Sequence, residues 1–172
     1  MASLVENLIS ILEQESTEYE ELLGLSMKKT PVIVAGDLQV LQQITDEEQN
    51  VVSRINHLES KRTEVIKDIA NVMNKDVKEL KLVNLIQILE GRPSESKKLA
   101  EIHDRLKKVV GDMQQVNNQN KELIAHSLEM VEFDMNLLQA MKTAPETANY
   151  NKGAYSAGNL MGVDRSGFDA KS

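Results

Sequence analysis

Apolar residues recur at spacings of three and four from the first turn of the chain. Leu4, Leu8, Ile11, Tyr19 and Leu22 fall on one helical face, and Leu12 and Leu23 widen it. Glu6, Glu13, Glu15, Glu18, Glu20 and Glu21 are assigned to the opposite, solvent face. Acids early and Lys28-Lys29 late suit the helix dipole. Pro31 disfavours helical geometry at Thr30, so this helix is expected either to stop near Lys29 or to kink and run on to Ala35. Gly36 supplies a left-handed stop and Asp37 a cap for the next helix.

A second seam follows at Leu41, Ile44, Glu48, Val51, Ile55, Leu58, Arg62, Val65, Ile69 and Val72. Alternating threes and fours over this length predict a long packing helix at 37–73, about 55 Å long, with partial burial at Glu48 and Arg62. Asp76 and Glu79 form a capping-box pattern before a short apolar segment. The pattern predicts a small helix at 77–90 that plugs one end of a bundle, closed by Gly91 and Pro93. Ser94 is expected to cap the longest helix, 94–142, of about 70 Å. Its seam runs Leu99, Ile102, Leu106, Val109, Met113, Val116, Asn120, Leu123, Ser127, Met130, Asp134, Leu137 and Met141. In its second half the apolar stripe drifts toward Ile124, Leu128, Val131 and Leu138, as a straight helix drifts against a heptad frame. Pro145 ends it. The pattern predicts an all-α fold, an elongated antiparallel bundle of three long helices plus one short helix over 1–142. Residues 143–172 lack periodicity and read as a flexible tail.

Composition narrows this picture. Of 172 residues only 3% are aromatic, and Pro and Gly number three and eight, which excludes strand-and-turn architectures and favours long helices. There is no Cys, hence no disulfide framework, thiolate metal site or cysteine nucleophile. The first residues have neither the basic region nor the apolar core of a secretion signal, and no apolar run approaches a membrane span. A cytoplasmic protein without membrane insertion is expected. The net charge of −7 disfavours nucleic acid as a partner.

Candidate chemistry is sparse. His57, His103 and His126 lie far from one another in sequence, and no pair of Glu-x-x-His motifs is present, so no metal or other cofactor is expected. No phosphate-binding glycine loop or nucleophile–base pair occurs, and an enzyme is not expected. Asn120 falls on the seam, where one buried amide fixes register. The end of the long helix is different. Met130, Val131, Phe133, Met135, Leu137, Leu138 and Met141 wrap around more of the helix than one core stripe needs. If the first two helices are each about 50 Å long, the third overhangs them by roughly 15–20 Å at this end. A stretch of that kind marks a binding surface, and flexible Met side chains suit a partner helix.

Several segments together resemble a known family. These are the Gly36-Asp37-Leu38 break, Glu47-Glu48-Gln49, Leu58-Glu59-Ser60-Lys61-Arg62, Leu123-Ile124, the run Ser127 to Phe133, and Tyr155, Gly158 and Phe168-Asp169-Ala170-Lys171. Over nearly its full length the chain resembles the FlgN-type flagellar export chaperones. That resemblance implies a cytoplasmic helical chaperone. It would bind the C-terminal helical regions of hook–filament junction proteins, prevent their premature assembly and deliver them to the cytoplasmic domain of the flagellar export gate. Carried onto this chain, client binding falls on Val131, Phe133, Met135, Leu137, Leu138 and Met141. Gate docking falls on an aromatic near the C-terminus, with Tyr150 and Tyr155 as candidates. A monomer or weak dimer is expected. The competing expectation is a scaffold coiled coil whose long helices dimerise without a client.

Overall fold

The computed structural model describes residues 2–143. The elements in chain order are α1 (Ala2–Ala35), α2 (Leu38–Met73), a 3-10 turn (Val77–Glu79), α3 (Leu82–Ile88), a second 3-10 turn (Leu89–Gly91) and α4 (Pro93–Thr143). The chain divides into two units, one ending at Ile124 and one beginning at Ala125. The described residues are an all-α arrangement of three long helices and one short one, as the periodicity predicts. No described helix is long and apolar enough to cross a membrane.

Pro31 does not end α1, which continues to Ala35. Proline removes the hydrogen bond to the carbonyl four residues back and crowds it, a local penalty of about 3 kcal/mol. Burial beyond Pro31 opposes that penalty, since Ile33 lies in the core. The helix stops where Gly36 takes φ 70°. The Gly36 amide donates to the Ile33 carbonyl at 3.1 Å and the Asp37 amide to Val32 at 3.3 Å, the two bonds of a Schellman motif. Asp37 Oδ1 then accepts from the Val40 amide at 3.2 Å and caps α2. The same motif closes α2, with Asn74 (φ 53°) in the glycine position and the Lys75 amide donating to Ala70.

The connector departs from a single helix over 77–90. Asp76 caps the first 3-10 turn by accepting from the Lys78 amide, and α3 covers only Leu82–Ile88. Leu80, Leu85 and Leu89 are buried, so the segment plugs the core as three short pieces. Pro93 opens α4 rather than closing the connector. Its missing N–H is no loss in the first turn, and the Ser96 amide donates to the carbonyl of Arg92, two residues before the expected cap Ser94. Ser96 Oγ also donates to the Ile86 carbonyl and ties the start of α4 to the connector.

Cross-helix pairs fix the directions within the first unit. As α1 advances from Glu15 to Ser26, its partners on α2 fall back from Arg62 to Glu48, so these helices are antiparallel. Between Glu20 and Thr30 its partners on α4 advance from Arg105 to Asn120, so that part of α4 runs with α1. Two apolar clusters form between the helices. One gathers Val5, Leu8, Leu12, Leu58, Ile69 and Leu99 with the connector leucines, and the other Leu22, Leu25, Ile44, Val51 and Ile55.

Between these clusters along α1 lies a polar layer that contradicts the expectation for Glu15. Glu15 is fully buried, not on the solvent face. Its Oε2 accepts from Arg62 Nη1 at 2.9 Å, while Oε1 and Ser16 Oγ have no hydrogen-bond partner. The spacing explains the placement, since Glu15 is four residues after Ile11 and three after Leu12. Burial pushes its carboxyl above the usual glutamate range, Arg62 pulls it back in part, and the nearby Glu59 adds to the rise. Beside it Tyr19 donates to Glu59 Oε1 at 3.1 Å, and burial, helped by that bond, lifts the phenol to about 12.

A second layer sits near Pro31. Asn120 is 4% exposed, donates from Nδ2 to the Ser26 carbonyl at 2.8 Å and accepts from Thr30 Oγ1 at 2.6 Å. Ser26 Oγ donates to Glu48, which also accepts from Lys29 Nζ at 2.7 Å. Glu48 and Arg62 are partly buried, as the seam predicts.

Arg62→Met leaves the Glu15 carboxylate buried without its cation and should cost about 3 kcal/mol at neutral pH, read by urea unfolding. The folded protein holds the Glu15 proton more tightly than the unfolded chain. Its contribution is therefore complete below the ordinary glutamate pKa and is lost as pH rises through the raised one. The Arg62→Met deficit should shrink on acidification, and Glu15→Gln added to it should restore stability at neutral pH. A deficit independent of pH would contradict this account of Glu15. Asn120→Ala removes both bonds to α1 and should cost about 1–3 kcal/mol in the same measurement.

Candidate functional site

The α4 seam is buried at Leu99, Ile102, Leu106, Val109 and Asn120. From Ala125 to Thr143 the helix continues with no buried side chain. All six residues expected to bind a client lie there and are exposed, from 41% at Leu137 to 67% at Met141, with Phe133 at 57%. They share one helical segment and need no distant part of the chain to bring them together. Leu128 and Met130 are exposed in the same segment and belong with them by spacing, three residues before Val131 and Phe133. The helical repeat was the signal for both. Tyr150 and Tyr155, the candidates for gate docking, lie outside the described residues, as does the tail from residue 144.

Helix-favouring residues fill the segment, with no Gly or Pro between Ala125 and Thr143. Its charge is one-sided. Between Lys121 and Lys142 there is no Lys or Arg, while Glu122, Glu129, Glu132 and Asp134 are present. His126 Nδ1 lies 3.7 Å from Glu129 Oε2, both exposed. An apolar surface with acidic flanks selects for partner helices that carry basic residues beside their apolar stripe.

Elsewhere several charged groups are engaged with one another. In the first unit an open groove of about 630 Å³ between α1 and α2 is lined by Ser10, Gln14, Thr17, Ser53, His57 and four charged side chains. Its Arg54 is held by Glu18 at 2.8 Å and Glu21 at 3.0 Å. Arg105 makes a two-pronged bond to Glu20 that lowers the Glu20 pKa. Among the described residues no group of three or more His, Asp or Glu side chains is placed to hold a metal ion.

Comparison with known proteins identifies the family. Residues 1–156 match the model of the family described as FlgN protein. The chain is also similar to the uncharacterized protein YvyG of Bacillus subtilis (strain 168). The two are 25% identical over 146 residues, which cover 84% of this chain and 83% of that protein. No solved structure matches. A family match that takes in all of α1 to α4 leaves no element of the bundle outside it, and the chain belongs to the FlgN family of flagellar export chaperones.

Proposed function

We propose that this chain captures the C-terminal helical regions of hook–filament junction proteins in the cytoplasm and delivers them to the export gate. The observation that carries the reading is the exposure of Val131, Phe133, Met135, Leu137, Leu138 and Met141 on one helical segment of a FlgN-family protein. An unassembled helical region keeps an apolar stripe that drives self-association. Covering that stripe competes with polymerisation. At about 25 cal/mol per Å², roughly 600 Å² of apolar area gives a gross 15 kcal/mol, most of it offset by ordering the client. Such a balance gives binding firm enough to protect and weak enough to release.

The division of labour places the client on α4 and the gate on the C-terminal residues, with Tyr150 or Tyr155 as the docking aromatic. Neither step requires chemistry on a bond, so no cofactor enters.

Phe133→Asp and Leu137→Asp should each abolish copurification of a hook–filament junction protein while far-UV circular dichroism stays unchanged. Retention of the client by both variants would rule out this surface. Removing residues 145–172 should leave client binding intact and abolish binding to the cytoplasmic domain of the gate, measured by calorimetry with each purified partner. Loss of the client in that truncation would contradict the division of labour.

A further inference from the structure

The exposed apolar side chains of Ala125–Thr143 are not spread evenly. At about 100° per residue they fall into two stripes. Leu128, Val131, Met135 and Leu138 form one. Met130, Phe133, Leu137 and Met141 form the other. The two centre lines are roughly 130° apart, Asp134 lies between them, and Glu129, Glu132, Asn136 and Gln139 occupy the remaining face. One packed helix needs a single apolar stripe. A helix with two such stripes has two neighbours, which is the arrangement of any member of a three-helix bundle.

Charge decides what those neighbours are. A second copy packed on the two stripes would set Asp134, which lies between them, against the same acid, with no Lys or Arg between Lys121 and Lys142 to answer it. We propose that this segment holds two partner helices at once. In this arrangement the client supplies a helical pair that completes a three-helix bundle on α4, and a Lys or Arg of that pair lies over Asp134. The inference rests on the reading of this segment as the client site.

The chain has no cysteine, so a single introduced thiol reports on one stripe at a time. Met135→Cys and Leu137→Cys, each labelled with a benzophenone maleimide in the full chain, are photolysed with a purified hook–filament junction protein, and the adducts are mapped by mass spectrometry. The expected result is that the two positions mark two different helices of the junction protein. Adducts on one and the same helix, or from one stripe only, overturn the two-helix arrangement and leave client capture standing. Adducts to a second copy of the chain overturn the choice of occupant. A complex that forms without adducts from either position overturns the site itself. Failure of the unlabelled wild-type chain to bind the junction protein overturns the functional reading on which the inference rests. Asp134→Asn should weaken binding about threefold at low salt, with the difference closing at high salt. Unchanged affinity at low salt would remove the basic residue from over Asp134.

Discussion

The register of the first unit depends on the buried amide of Asn120. Aliphatic side chains pack almost as well one turn out of step, because a stripe of Leu, Ile and Val looks much the same from turn to turn. An amide does not. Displaced by one turn, Asn120 would lose the Ser26 carbonyl and the Thr30 hydroxyl together and remain buried without partners, a penalty of several kcal/mol. Because Ser26 also donates to Glu48, the same turn of α1 sets α2 and α4 at once.

The layer at Glu15 works differently. Its carboxylate has one bonded and one unbonded oxygen in a buried position, so the pair with Arg62 offsets a desolvation penalty more than it adds stability. Its effect is selective. Only an antiparallel α2 in the observed register brings Arg62 to Glu15, and every other alignment leaves a buried charge alone. The two layers lie about three turns of α1 apart, from Glu15 to Ser26, with aliphatic clusters providing most of the burial energy.

Much of this was legible in the chain, and the departures have identifiable causes. The α2 seam was readable because six of its positions, Ile44, Val51, Ile55, Leu58, Val65 and Ile69, are both apolar and buried. Glu15 departs from expectation because its residue type points to solvent while its spacing points to the core. Its position on the seam was visible, but a carboxylate is seldom buried without a cation, and that cation lies 47 residues away. Asn74 is a weak stop signal in sequence because asparagine takes the left-handed conformation less often than glycine. Pro93 is ambiguous in sequence, since proline serves as well at a first helical position as it does after a helix end. The candidate surface was legible as apolar surplus from Met130 to Met141. Its division into two stripes needed the exposure of Leu128 and Met130 as well.

Each unit departs in its own way from the usual distribution of side chains. In the first, polar groups lie inside: Glu15, Ser16, Ser26 and Asn120 are buried. In the helix after Ala125, apolar groups lie outside, including Phe133, the only Phe among the described residues. A protein under pressure for stability alone would exchange these, since burying Phe133 would be worth about 2 kcal/mol or more and replacing the polar layers with aliphatics would often be neutral. The proposed function accounts for both departures with one requirement. On the proposed reading, a chaperone for helices has to present an apolar helix to its client without having its own helices slide to cover it. Polar layers that tolerate a single register hold the first unit to one arrangement. On the same proposal, an acidic border without Lys or Arg would discourage the exposed segment from pairing with another copy of itself.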